Sequence, residues 1–284
     1  MNSIRVWLTV ICTSIVFAVC VSGGEGGKLK YQTTDELRKA CQPFLKPFSS
    51  KYRKAPDPDD DRLFIVEYLG AEDPDLQREA ADILVELEQY NRKIRGNVFE
   101  KYLDKKYPMY VRDVALMYSM YNYRGRRNDR AREELHEKWK RMLNDIAEAP
   151  VPSPHFRRFA VGSLTYTGEW TALIKPNNQP IMLRRFLSVL SQEAMKNEHE
   201  MEARSVASVI ARGFPKDLRN KQVPEWYAAE PCADARRVLI DQICRGMSAA
   251  HHVAAVKPIL ELAAKDYDPT IAKKAQEELE RLDH

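Results

Sequence analysis

The sequence predicts an all-α protein in which paired helices stack into a right-handed α-solenoid of about five or six units. The first observation is an internal repeat. Residues 65–80 and 257–275 both contain an apolar helical stretch, an Asp-Pro turn and a second helix that opens with an apolar residue, a basic residue and alanine. The second observation is that this helix opening recurs through the middle of the chain. Such a repeat indicates stacked helix pairs, because a single pair cannot bury its apolar face alone.

Six segments share the helix opening, in which a basic residue is followed by small and apolar residues. They begin at Arg78, Arg112, Arg158, Arg204, Arg237 and Lys273. Their spacing, counted through a similar helix at Arg185, suits units of two helices. Small residues at fixed positions let the second helix of each pair approach its neighbours closely, and the Leu, Ile or Val residues that follow fill the seam.

These residues resemble the HEAT-repeat family, whose units have an apolar helix, a turn with Asp-Pro and a second helix that opens with an apolar residue, Arg and Ala. The turns at Asp73 and Asp268 match this pattern well, and the segment around Arg112 matches it in part. The resemblance covers most of residues 60–284. It implies a ladder of polar side chains that ties adjacent repeats together, which assigns structural roles to Asp73, Arg78, Arg112 and Asp268.

The N-terminus has the pattern of a secretory signal. Arg5 precedes an apolar run from Val6 to Val21, and small residues follow it. The run has about 16 residues, whereas a membrane-spanning helix needs roughly 20, so we expect cleavage near residues 22–24. An uncleaved anchor, a lipidated Cys20 and a chance apolar N-terminus of a cytosolic protein are the alternatives. The expected location is extracytoplasmic, periplasmic or secreted, with membrane anchoring as a variant.

Three regions follow from these patterns. Residues 1–23 are the signal peptide or N-terminal anchor, residues 24–56 are a flexible spacer with a capping helix, and residues 57–284 are the HEAT-like solenoid. The capping helix opens at Thr34 with an acidic first turn. Later in the chain, a strongly charged helix from Arg130 to Ala147 should end before a run of prolines.

Charge and cysteine content narrow the function. The chain has 45 basic and 41 acidic residues and a net charge of +4, so charge alone implies no polyanionic partner. Loss of the signal would leave Cys41, Cys232 and Cys244, an odd number without metal-binding spacing, and we expect free, buried thiols.

Catalytic and metal-binding motifs are missing from the sequence. There is no HExxH, GxSxG, Walker or dinucleotide glycine pattern, and the histidines are scattered. An acidic stretch at residues 57–62 lacks the Gly and the Glu that a calcium loop requires at its sixth and twelfth positions. We therefore expect no enzyme activity, cofactor or metal. The alternatives are an extracytoplasmic hydrolase or metal-dependent enzyme with a scattered site, and a nucleic-acid-binding helical-repeat protein.

Two groups of residues are candidates for contact with a partner. The first is an aromatic and basic stretch, in which Tyr residues at helical spacing are also typical of a core: Tyr118, Tyr121, Tyr123, Arg124, Arg126 and Arg127. The second lies in two stretches predicted to be irregular, Thr165 to Pro180 and Gly213 to Pro231, where large aromatics serve either recognition or as lids over the core: Trp170, Trp226 and Tyr227. Both stretches follow second helices, so we expect them at one edge of the stack.

The sequence thus predicts a protein-interaction scaffold. Its partner is expected to be another protein rather than nucleic acid. Contact with a membrane is expected only through the N-terminal segment, if that segment is not cleaved.

Overall fold

The structure is a computed structural model. It describes residues 29–45, 59–89, 96–121, 129–153, 155–162, 171–196, 200–245 and 250–282. Within these ranges the protein is helical and contains no strand, so the prediction of an all-α protein is confirmed. The predicted signal segment lies outside the described residues, as does much of the predicted spacer.

The described part of the chain contains 12 α-helices. They are α1 (Thr34–Cys41), α2 (Asp59–Glu67), α3 (Pro74–Gln89), α4 (Met109–Tyr121), α5 (Asp129–Glu148), α6 (Phe156–Gly162), α7 (Gln179–Ala194), α8 (Glu200–Gly213), α9 (Lys216–Ala229), α10 (Ala233–Arg245), α11 (Ala250–Ala263) and α12 (Pro269–Leu282). Short 3-10 segments are present at Tyr68–Gly70, Gly96–Leu103 and Thr171–Leu173.

The helices pack in two series. All six predicted helix openings lie in helices that contact one another in chain order, and we call these the second helices: α3, α4, α6, α8, α10 and α12. The remaining elements also pack in chain order, and we call them the first helices: the segment Gly96–Leu103, α5, α7, α9 and α11. Within each series, a helix therefore packs against its next-but-one neighbour in the chain.

Local sequence signals set several helix starts. Thr33 caps α1, and its side chain and that of Glu36 form a reciprocal capping box. Asp73 accepts hydrogen bonds from the backbone N–H groups of Asp75 (2.8 Å) and Leu76 (3.4 Å) before α3, which begins with a proline. Asp268 does the same at the start of α12 (2.8 Å to the N–H group of Thr270).

One apolar core runs through both series of helices. Every side chain in residues 111–120 of α4 is buried, including those of Arg112 and Asp113, so this helix is enclosed by its neighbours on all sides. Further along the chain, Phe186 of α7 makes edge-to-face contacts with Phe156 (5.8 Å between ring centroids) and with Phe214 (5.7 Å). Aromatic contacts therefore join α6, α7 and the end of α8.

The prediction of an irregular stretch from Gly213 to Pro231 is wrong, because α9 occupies most of it and contains Pro224. A proline inside a helix removes one backbone hydrogen bond and usually marks a break. Here burial of Val223 and Tyr227 on either side of the proline holds the helix together. In the other predicted stretch, residues 165–170 are outside the described part of the chain, and the rest contains a 3-10 turn before α7.

The three cysteines of the described residues are free. Cys41 is buried, whereas Cys232 and Cys244 are only half-buried. Burial raises the pKa of the thiols of Cys41 and Cys244 to about 12, so both stay protonated at neutral pH and are poor nucleophiles.

Candidate functional site

Only part of the predicted contact surface is described. Five of its residues lie outside the described ranges: Tyr123, Arg124, Arg126, Arg127 and Trp170. Tyr121 ends α4, and its side chain is likewise not described. Placement can therefore be given for Tyr118, Trp226 and Tyr227.

Tyr118 belongs to the core of the protein. Its side chain is buried, its ring stacks on Phe99 at 4.4 Å between centroids, and its hydroxyl donates to the carbonyl of Leu84 at 2.8 Å. The aromatic periodicity in this stretch therefore reflects core packing at Tyr118, which offers no surface to a partner.

Trp226 and Tyr227 lie in α9 and make internal hydrogen bonds. The Trp226 indole, half-buried, donates to the hydroxyl of Ser191 at 3.3 Å. Tyr227 is buried and donates to Asp266 at 2.5 Å. The Tyr227 side chain thus links two helix pairs and offers no surface to a partner. The ring of Trp226 is partly exposed.

The fourth residue of three second helices makes the same pair of contacts. The residues are Gln77 in α3, Arg112 in α4 and Arg236 in α10. Each side chain donates a hydrogen bond backwards to a carbonyl near the end of the preceding element, that of Leu69 (2.9 Å), Leu103 (3.3 Å) and Glu230 respectively. Orphan carbonyls at helix ends are thereby satisfied.

The same three side chains also reach forward to the next helix pair. Gln77 accepts a hydrogen bond from Tyr110, 33 residues later, at 2.7 Å. Arg112 pairs with Asp145, also 33 residues later, and Arg236 pairs with Asp266, 30 residues later. A polar link that spans 30 to 33 residues therefore joins successive helix pairs at both ends of the described chain.

The polar links use partly different residues from those the sequence suggested. Arg112 has the predicted role, but Arg78 is exposed and lies over the ring of Tyr110, 5.6 Å from its centroid. Asp73 and Asp268 cap helices rather than pair with arginine. The reason is geometric: one residue turns a helix by about 100°, so Gln77 and Arg236 face the neighbouring pair while Arg78 and Arg237 face outwards.

The pair of Arg236 and Asp266 is the most enclosed of these links. Their side chains are 3% and 2% exposed, and two hydrogen bonds join them, from Nε to Oδ2 at 2.8 Å and from Nη2 to Oδ1 at 3.2 Å. Burial acts to raise the pKa of Asp266, but hydrogen bonds from Arg236 and Tyr227 outweigh it and leave the pKa below its usual value. The exposed ring of Tyr267 covers the guanidinium at 4.5 Å.

A second buried carboxyl group, that of Asp113 in α4, lacks such compensation. Ser153 donates a hydrogen bond to Oδ2, while Oδ1 has no partner in the structure. Burial raises the pKa of Asp113 well above its usual value, although Arg112 and Arg185 oppose this. The group favours its neutral form and links α4 to the turn before α6.

His155 lies close to this turn, at the junction of α3, α4 and α6. Its Nε2 atom is 3.3 Å from Asp82, and its ring meets that of Tyr110 edge-on. Burial lowers the pKa of His155, and the attraction of Asp82 does not fully offset this. The histidine is therefore held mainly neutral in a packed junction.

A groove of about 780 Å³ lies between the second helices α10 and α12. Its walls carry charges of both signs, and they pair across or along the groove, as Lys274 with Asp241 and Arg281 with Glu278 (2.8 Å). The sequence did not single out this groove, because its walls are 33 residues apart in the chain.

The exposed large apolar side chains of the described residues lie beside turns that join a first helix to a second helix. They are Val151, Met195, Met201 and Tyr267, which are 74%, 63%, 77% and 75% exposed. We call these four residues the turn edge. Sequence reasoning did not single out these four residues, because exposure depends on the neighbours that tertiary packing supplies.

The arrangement defines an all-α protein whose described helices pack in two series with polar links between them. Comparison with known proteins finds no family model that matches the chain and no matching curated protein. In the described part of the chain, no group of at least 3 His, Cys, Asp or Glu side chains is placed to hold a metal ion. Every described helix is too short or too polar to cross a membrane.

Proposed function

We propose that the chain forms a right-handed α-solenoid of HEAT-like helix pairs and acts as a protein-interaction scaffold on the extracytoplasmic side of a membrane, exported or tethered. The observation that carries this proposal is the polar link at the fourth residue of α3, α4 and α10. The same contacts, backwards to a carbonyl and forwards by 30 to 33 residues, are expected if one unit is stacked repeatedly.

Other long-range contacts support stacking with the same step. Tyr118 reaches back 34 residues to Leu84, Arg157 pairs with Glu193 36 residues ahead, and Lys274 pairs with Asp241 over 33 residues. The contacts between helices that are next-but-one neighbours in the chain are also expected if one helix pair is stacked repeatedly. Apolar and polar contacts therefore share one period, which favours an array over an irregular helical bundle.

The turn edge supports a role in protein binding. In a stacked array, all turns from first to second helices lie along one side, so Val151, Met195, Met201 and Tyr267 would share that side. Exposed apolar side chains on one side of a soluble array are typical of protein contact surfaces. The partner we propose is accordingly a protein with an apolar contact surface, and the helix pairs hold the edge rigid.

The test is affinity capture from native envelope material with three forms of the full chain. In the edge variant, Val151, Met195 and Met201 are changed to Ser, while Tyr267 is kept because its ring covers Arg236. The matched control changes three exposed polar residues, Lys140, Arg184 and Gln192, to Ser. We expect the wild type and the control to capture the same protein, and the edge variant to capture at least tenfold less.

Equal recovery by all three forms would rule out the turn edge as the contact surface. A Trp170→Ala/Trp226→Ala variant in the same experiment tests the surface that the sequence suggested. Loss of capture in that variant alone would assign the contact to these two tryptophans instead of the turn edge.

The proposed location has its own test. Mass spectrometry of the protein from its native source is expected to find a mature N-terminus near residues 22–24, as the signal pattern predicts. A chain that begins at Met1 and fractionates with cytosolic proteins would contradict export.

A further inference from the structure

Arg219, the fourth residue of α9, is a buried arginine with an incomplete set of partners. Its side chain is 8% exposed and donates one hydrogen bond, to the carbonyl of Ala211 near the end of α8. Its Nε–H group is buried and has no acceptor. A buried guanidinium normally saturates its donors, because a buried N–H group without an acceptor loses its hydrogen bond to water and gains none in return.

Several other buried or half-buried arginines of the described chain have a carboxylate partner, whereas half-buried Arg185 donates to the carbonyls of Ile146 and Ala149. Arg112, Arg157 and Arg236 each pair with a carboxylate, namely Asp145, Glu193 and Asp266. Among the described residues no carboxylate pairs with Arg219, and burial is the one influence that lowers its pKa. Its charge is therefore buried without a counter-charge from the described residues, an arrangement that is unfavourable unless an anion compensates.

The surroundings of Arg219 favour an anion. Pro215 at the start of α9 provides no side-chain cap, and the first N–H groups of an α-helix have no acceptor within the helix. Arg212, Lys216 and Lys221 are exposed around the same turn and form no ion pair in the described structure. Asp217 is the one acidic residue between positions 212 and 222.

We propose that Arg219, Lys216 and the N-terminal N–H groups of α9 bind an oxyanion, a phosphate or sulfate group, at the turn between α8 and α9. The oxyanion supplies the counter-charge that the chain lacks at Arg219, and it accepts hydrogen bonds from the guanidinium fork and from the helix N-terminus. Its source is a free inorganic anion or a phosphoryl group carried by another molecule. This site is separate from the proposed turn edge and does not depend on the scaffold role.

The test is calorimetric titration of the full chain with inorganic phosphate and with sulfate, at an ionic strength held constant with chloride. We expect saturable binding with a Kd of about 1 mM or tighter. Arg219→Met should weaken binding at least tenfold. The matched control is Arg204→Met, which removes an exposed arginine that pairs with Glu200 within α8, and it should bind as the wild type does.

Circular dichroism of Arg219→Met checks that the variant is folded, and Arg219→Lys provides a second variant that keeps the charge without the fork. We expect Arg219→Lys to bind with intermediate affinity. A response that does not saturate, or equal binding by wild type and both variants, would overturn the site. A phosphoserine peptide that binds at least tenfold more tightly than inorganic phosphate identifies a phosphoryl group on a partner as the source, and equal affinity identifies the free anion.

Discussion

At the scale of single residues, the pair of Arg236 and Asp266 makes the sharpest prediction. Arg236→Met leaves Asp266 buried without its counter-charge, and we expect the free energy of unfolding to fall by about 3–5 kcal/mol. Arg237→Met is the control, because the side chain of Arg237 is exposed and pairs with Asp234 on the surface. Loss of such a surface pair lowers the free energy of unfolding by less than about 1 kcal/mol. Urea unfolding of both variants measures the difference.

A double variant separates pairing from burial. Arg236→Met/Asp266→Leu removes both charges, so we expect it to be more stable than Arg236→Met alone, although Tyr227 then loses its acceptor. A double variant that is as unstable as the sum of both single changes would show that the pair does not interact as described.

Asp113 predicts an unusual dependence on pH. Because burial raises its pKa, the folded protein holds this proton more firmly than the unfolded chain does. Stability therefore falls as pH rises from the unfolded pKa, about 3.9, through the raised folded pKa, by at most about 1.4 kcal/mol per pH unit. Asp113→Asn keeps an acceptor for Ser153 and cannot ionise. The variant should gain stability relative to wild type between about pH 4 and 8, as measured by urea unfolding across that range.

A difference between the two proteins that does not change with pH would contradict this account of Asp113. Asp75→Asn serves as the control, because that carboxyl group is exposed on the first turn of α3. Its substitution should leave the shape of the pH profile as it is in wild type.

At the scale of helices, the two Asp-Pro turns should contribute equally through capping. Asp73→Ala and Asp268→Ala each remove an acceptor for N–H groups at a helix start, and we expect each to cost about 1 kcal/mol. The turns stand at opposite ends of the chain, so the costs should add within about 0.5 kcal/mol in the double variant. Asp73→Asn and Asp268→Asn keep the capping oxygen and should be nearly neutral; loss of stability in these would point to charge rather than capping.

Helices with local signals could be predicted from the sequence, whereas contacts that depend on neighbours could not. The openings at Arg78 and Lys273 combine a capping Asp, a Pro at the first helical position and apolar residues at helical spacing, and all of these act within a few residues. Helix α9 was missed because Pro224 is a local signal for a break, while the burial of Tyr227 that overrides it comes from α9 packing on α11. The burial of Arg219 is likewise set by packing that no local pattern shows.

In the candidate contact surfaces, too, local sequence signals could be read but burial and exposure could not. Tyr118 carries an aromatic signal in the sequence, yet helical spacing cannot distinguish a buried ring from an exposed one. Met195 and Met201 carry no signal of their own, and their exposure follows from the position of the turn between α7 and α8. The choice of Gln77 and Arg236 over their neighbours depends on helix rotation to within one residue, which exceeds the precision of boundaries read from sequence.

At the scale of the whole molecule, a stacked array and a single globular core respond differently to a local defect. In an array each pair contacts only its neighbours, so a defect at one end loosens that end and leaves the other intact. Ile271→Ala opens a cavity under α12, where the side chain is 1% exposed, at a cost of about 2–5 kcal/mol. We expect amide hydrogen exchange to accelerate in α11 and α12, while α3 and α4 keep wild-type protection. Ile83→Ala, a fully buried position in α3, is the mirror variant and should loosen α3 and α4 while α12 is unchanged. Faster exchange throughout the chain in both variants would show a single cooperative core and would contradict the proposed solenoid.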